Sequence, residues 1–187
     1  QITVAAAVIC IFAAITFFHM DNFRDRFSFW NNAVKTSPHS PFAHLALAQA
    51  FHEHGRIEEA EAEYRRSISL DPLEPGPYFG LGEIYFKKGR LKEAEDAFRK
   101  TIAAYPYFDN GYLELGALYY KQGRLKEAEW AWNKAISIDP DNALTNKFLA
   151  IYYYEQKDFE RSIRYVRHLQ ALGAQVPRDF LKSLGIE

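Results

Sequence analysis

Cysteine is nearly absent: Cys10 stands alone, so no disulfide can form within the chain. Net charge is nearly absent too. The 187 residues sum to a formal charge of -1, which argues against a protein that grips nucleic acid by neutralising phosphates. Metal signatures are missing, with no Cys-x-x-Cys and no His-Glu-x-x-His. His52 and His54 are two apart, so on a helix they point to different faces. His44 is expected as a core substitute for an aromatic, and the other histidines as surface residues. No glycine-rich phosphate loop occurs, and nothing in the residue order suggests a Ser/His/Asp triad. Neither a catalytic residue, a cofactor nor a metal is therefore expected in this segment.

Charge is also lacking from Ile2 to Met20, which holds no Lys, Arg, Asp or Glu. As a helix, such a run would be about 28 Å long, close to the hydrocarbon thickness of a bilayer. A secretory signal fits poorly. No basic residue precedes the run, and Phe17-Phe18-His19-Met20 is a poor cleavage site. A buried helix is the alternative, but it would need apolar cover on every side. A transmembrane helix over residues 1–20 is the preferred reading. Asp21, Asn22, Arg24, Asp25 and Arg26 follow at once. Residue 1 is Gln rather than Met, so a piece of a longer chain is expected, with the apolar run as the last span of a larger membrane protein.

What the chain does have is a period of 34. Gly55-Arg56-Ile57-Glu58-Glu59-Ala60-Glu61 recurs almost unchanged from Gly89 and from Gly123, and prolines at 38, 72, 106 and 140 keep the same spacing. A fixed period of this size means stacked helical hairpins rather than one closed globule. The repeats span 41–74, 75–108 and 109–142, with a degenerate fourth over 143–176. First helices are expected near 41–54, 75–88, 109–122 and 143–156, and second helices near 57–70, 91–104, 125–138 and 159–172.

Each marked position has a physical reason. Ala60, Ala94 and Ala128 sit where two helices cross closely, and Ser162 keeps that place small in the fourth repeat. Gly82 and Gly116 do the same on first helices, with Ala48 and Ala150 as substitutes. Tyr64, Phe98 and Trp132 are large knobs four residues after the small one, on the same face. Asp71-Pro72 and Asp139-Pro140 stop second helices, because the residue before proline avoids the helical region. The Glu-rich cassettes are expected as solvated faces with local pairs such as Glu61 to Arg65.

These residues resemble the tetratricopeptide repeat signature: an aromatic, Leu-Gly, Tyr, then Ala, Phe and Pro at fixed offsets. Tyr78, Leu81, Gly82, Tyr85, Ala94, Phe98 and Pro106 match in the second repeat. Tyr112, Leu115, Gly116, Tyr119, Ala128, Trp132 and Pro140 match in the third. The resemblance covers 41–176 and implies an all-α fold, a right-handed α-solenoid of helical hairpins, here preceded by the transmembrane helix. Residues 21–38, carrying Trp30 and Ala33, resemble the second helix of a partial repeat and would link the two. Residues 177–187, with Phe180, Leu181 and Leu184, read as a helix that caps the stack.

In tetratricopeptide proteins, positions 2, 5, 9 and 12 of each first helix line a concave groove. Steps of three and four keep them on one stripe. Here the stripe reads Phe42, Leu45, Gln49, His52; Gly76, Phe79, Glu83, Phe86; Asn110, Leu113, Ala117, Tyr120; and Leu144, Lys147, Ile151, Tyr154. Phe42, Leu45, Gln49, Phe79, Glu83, Phe86, Leu113, Tyr120, Lys147 and Tyr154 are the candidate contacts for a protein or peptide segment with apolar side chains. The same stripe could instead serve inter-repeat packing. The Lys/Asn clamp of repeat domains that hold acidic chaperone tails is missing. Leu45 and Gln49, Phe79 and Glu83, and Leu113 and Ala117 stand at its positions.

A membrane-anchored, non-catalytic scaffold is the function these features imply. The junction of apolar span, Trp30 helix and repeats opening on Ala43-His44-Leu45 is also similar to the tail of polytopic membrane glycosyltransferases with carboxyl-terminal tetratricopeptide repeats. That resemblance implies a catalytic part upstream, and repeats on the extracytoplasmic side that recruit or orient acceptor proteins. Arg24 and Arg26 hint at a cytoplasmic flank, offset by Asp21 and Asp25 beside them.

Overall fold

The computed structural model describes residues 26–186. The expected span over 2–20 lies outside them, and none of the described helices is long and apolar enough to cross a membrane. All regular structure among the described residues is helical. Helix α1 occupies 26–36. Two helices per repeat follow in chain order: α2 (Pro41–Glu53) and α3 (Ile57–Leu70), α4 (Pro75–Lys87) and α5 (Leu91–Ala104), α6 (Asp109–Lys121) and α7 (Leu125–Ile138), and α8 (Ala143–Glu155) and α9 (Phe159–Ala171), with α2 on α3, α6 on α7 and α8 on α9 packed as hairpins. Helix α10 (Arg178–Ser183) closes the described chain. These bounds fall within a residue of the helices read from the period.

The ends of the helices follow local chemistry. Ser40 Oγ accepts from the Ala43 amide at 3.2 Å and Pro41 begins α2, where its missing N–H costs nothing. The Asn142 and Asp158 side chains cap α8 and α9 in the same way, at 3.0 Å from the Thr145 and Arg161 amides. Helices α3, α5 and α7 start instead on Arg56, Arg90 and Arg124, with no side-chain cap. Each arginine pairs with the glutamate three residues on: Glu59, Glu93 or Glu127. Those bonds hold all three carboxyls below the usual carboxylate range, close to the positive helix end.

Gly55, Gly89 and Gly123 take φ near +73°, the left-handed turn that ends a first helix. The fourth hairpin puts Lys157 at that place, with φ 60°. The same closing bonds form, from the Lys157 amide to the Tyr154 carbonyl and from Asp158 to Tyr153, both at 2.9 Å. Tertiary structure therefore imposes a conformation that costs a β-carbon residue about 1–2 kcal/mol. Lys157→Gly should stabilise the protein by about 0.5–1 kcal/mol, less than the full strain because glycine also frees the unfolded chain. A melting temperature that falls on this substitution would contradict the account.

Contacts divide the chain into two compact units, split within α4 after Ile84. In the first unit, Ala48 and Ala60 are fully enclosed with Leu47 and Tyr64. Helix α1 joins this unit through Phe27, whose ring meets Phe51 at 5.2 Å, and through Trp30, which meets Phe42 at 5.5 Å. The Arg56 guanidinium lies 4.4 Å from the centre of the Phe51 ring.

In the second unit, Ala94, Phe98, Ala128, Trp132, Leu149 and Val166 form the enclosed centre. Ser162 is buried there as a small residue, and its hydroxyl donates to the Ala150 carbonyl at 2.8 Å. Helix α10 lays Leu184 on Ala150 and Val166, with Phe180 and Leu181 at the edge. The chain reaches it through Gly173 (φ 76°), a left-handed turn where the earlier second helices end on extended Asp71 and Asp139.

One expectation about the cassettes needs correction. The Glu61–Arg65 pair does form, at 2.7 Å. Glu95, one period on, is not a solvated residue: it is 9% exposed. Its carboxylate forms an ion pair with Arg99 at 2.8 Å and accepts from Arg124 at 2.8 Å and from the Tyr119 hydroxyl at 3.3 Å. The Arg124 guanidinium stacks 4.2 Å over the Tyr119 ring. Glu129 repeats the pattern with the Tyr152 and Tyr153 hydroxyls at 3.1 and 2.7 Å and Arg161 at 3.2 Å. The last glutamate of these two cassettes thus ties one hairpin to the next, with aromatic and arginine donors matched to a partly dry carboxylate.

Candidate functional site

The first-helix stripe divides by depth. In the first unit, Phe42 is 64% exposed, held only at its edge by Trp30. Leu45 is buried, and Gly76 comes so close to it that a β-carbon there would lie 3.1 Å from its Cδ2. Gln49 is exposed, while Phe79 and Glu83 are half-buried. His52 is not the surface residue expected: it packs edge-on to Tyr64 at 6.3 Å and lies 3.8 Å from the Glu83 carboxylate. His44 is in the core as expected, its ring nitrogens 2.5 Å from Glu63 and 3.2 Å from the Pro38 carbonyl.

In the second unit, Phe86 and Tyr120 are half-buried and Leu113, at 2% exposure, belongs to the interior. The Lys121 ammonium sits 4.8 Å from the centre of the Phe86 ring. The Tyr120 ring meets Trp132 at 5.6 Å, and its hydroxyl donates to Glu155. That bond, with burial adding to it, pushes the Tyr120 phenol up to about 12. Tyr152 is pushed up to about 12 as well, first by burial and then by its bond to Glu129. These phenols therefore stay neutral donors, and Tyr120 offers a ring face with its polar end already engaged.

Lys147 and Tyr154 part company at the fourth hairpin. Tyr154 packs against Phe159 at 5.7 Å and Phe180 at 5.2 Å, so the C-terminal helix covers much of it. Lys147 instead lines a concave pocket of about 500 Å³, together with Leu144 and Ile151 from α8, Leu169 from α9, and Val176 and Phe180. Sequence reading placed Leu144, Lys147 and Ile151 on the stripe but missed the wall made by 174–177. Pro177, already read as the start of the capping helix, continues the position held by Pro41 and Pro75, but nothing in residues 174–176 marks the path that makes the wall.

The family described as tetratricopeptide repeat matches the chain over residues 29–75, 45–107 and 110–142. Compared with functionally curated proteins, the sequence matches none. Among solved structures, the chain is similar to PilF of Pseudomonas aeruginosa, at 18% identity and TM-score 0.80, covering 94% of this chain and 82% of that one. It is similar to PilW, described as a widely conserved type IV pilus biogenesis factor, at 20% identity and TM-score 0.77, covering 92% and 83%. A crystal structure of MamA aligns at 21% identity and TM-score 0.72, covering 83% and 91%. At these identities the likeness is one of fold.

Proposed function

The chain belongs to the tetratricopeptide repeat family, and from that premise we propose that it is a non-catalytic scaffold that holds an apolar segment of a protein partner on its first-helix stripe. Residues 2–20 would tether it to a membrane, a reading supported by a run without charge that is long enough to span.

The observation that carries the proposal is the half-buried state of Phe86 and Tyr120. Each ring has neighbours, Lys121 beside Phe86 and Trp132 and Glu155 beside Tyr120, yet keeps area open to solvent. Rigid aromatics with open faces lose little freedom on binding and supply most of the energy at interfaces. In the second unit, Leu113 is then part of the interior rather than a contact.

The test is a peptide-display selection on the full chain, followed by affinities of the selected peptides for variants. Phe86→Ala and Tyr120→Ala should each weaken binding about tenfold. Thermal unfolding of the same variants should move less than for Leu81→Ala, a truncation in the first unit's core expected to cost about 2–5 kcal/mol. Unchanged affinity in folded Phe86→Ala and Tyr120→Ala proteins would remove the stripe as the binding surface.

A further inference from the structure

The pocket on the fourth hairpin exists because a repeating position changes its cover. Position 5 of the first helices is Leu45, Phe79, Leu113 and Lys147. Leu45 and Leu113 are buried, whereas Lys147 is exposed. The next helix after α8 and α9 is α10, with six residues instead of the thirteen of a first helix, and it arrives after the Gly173 turn. The space a full first helix would fill is left as a cavity of about 500 Å³. Pockets that enclose small ligands fall in the range of roughly 300–1,000 Å³.

The lining is chemically selective. Lys147 is its one charged residue and Gln175 its one other polar side chain; the rest are Ala, Leu, Ile, Val, Pro and Phe. Among the described residues, Lys147 has no ion-pair or hydrogen-bond partner. A peptide laid in this pocket would bury amide groups that the lining side chains cannot satisfy, at a cost for every group left unpaired. An alkyl chain carries no such groups. We infer that the pocket binds a medium-length fatty acid, with the alkyl chain against Leu144, Ile151, Val176 and Phe180 and the carboxylate on the Lys147 ammonium. The flexible lysine stem suits this arrangement, since its methylenes extend the apolar wall while the charged head stays at the mouth. The site is separate from the Phe86 and Tyr120 surface, so either reading can fail alone.

The experiment is photolabelling of the full chain, held in a phosphatidylcholine nanodisc, with a diazirine-bearing fatty acid and mapping of the adducts by mass spectrometry. Adducts should appear on 143–151 and 174–180 and saturate. Decanoate in excess should suppress them, and decyltrimethylammonium should not. Lys147→Met, which keeps the apolar stem and removes the charge, should lower labelling at half-saturating probe about tenfold. Ile151→Trp, which fills the cavity from an existing wall position, should abolish it with circular dichroism unchanged. Adducts confined to residues 2–20, adducts on the pocket that survive Ile151→Trp in folded protein, or equal suppression by the cationic amphiphile would overturn the inference. So would displacement of the label by an apolar peptide but not by decanoate.

Discussion

Trp132→Ala is expected to lower the stability of the second unit by about 3–5 kcal/mol in urea unfolding followed by circular dichroism. The indole is 1% exposed. It stacks on Phe148 with centroids 5.5 Å apart and planes 2° from parallel, and meets Tyr152 at 5.9 Å. Its Nε1–H donates to the Leu113 carbonyl at 3.2 Å. Gly116 leaves room for the ring, since a β-carbon there would lie 2.4 Å from Nε1. Alanine would therefore remove ring contacts on α6 and α8 together and leave a cavity that three helices would have to collapse around. Trp130, two residues away, supplies the control. It is 49% exposed and touches Tyr112 edge-on at 6.0 Å. Trp130→Ala should cost under about 1 kcal/mol. Equal losses from the two substitutions would mean that the assigned faces of α7 are wrong.

Features that repeat with the period were legible in the sequence. The hairpins, their turns and the knobs Tyr64, Phe98 and Trp132 recur every 34 residues, and recurrence is what a single sequence can display. Features that belong to a pair of neighbouring repeats were not. The burial of Glu95 depends on Arg124 and Tyr119 of the following hairpin, and the cassette alone reads as an ordinary acidic helix start. The stripe shows the same limit. Its spacing identifies the face, but burial depends on what lies over each position: Leu45 is covered at Gly76, while Lys147 opens on the pocket beside α10. The cap made by Phe180 and Leu184 was legible from Pro177 and the apolar spacing after it, but the pocket beside it was not, because that depends on the path of 174–177 after the Gly173 turn.

Position 6 of the first helices shows the same dependence on a neighbouring repeat. It is Ala46, Gly80, Glu114 and Phe148, with no shared character. Two of these meet the knob of the preceding hairpin: Phe148 stacks on Trp132, and Gly80 faces Tyr64. A β-carbon on Gly80 would lie 2.2 Å from Cζ and 2.5 Å from Oη of Tyr64. The ring has no ready escape, being 2% exposed and edge-on to His52, and burial of its hydroxyl pushes that phenol well above its ordinary range. Helical preference alone would make Gly80→Ala favourable by about 0.5–1 kcal/mol. The overlap should reverse the sign and leave a net loss of about 2–3 kcal/mol, in the upper part of the overpacking range. A double-mutant cycle separates the two contributions. In a Tyr64→Leu background the side chain ends short of Gly80, so adding Gly80→Ala there should be neutral or mildly stabilising. If alanine costs the same in both backgrounds, the loss comes from the backbone of α4, and the fit between knob and glycine is not what selects Gly80.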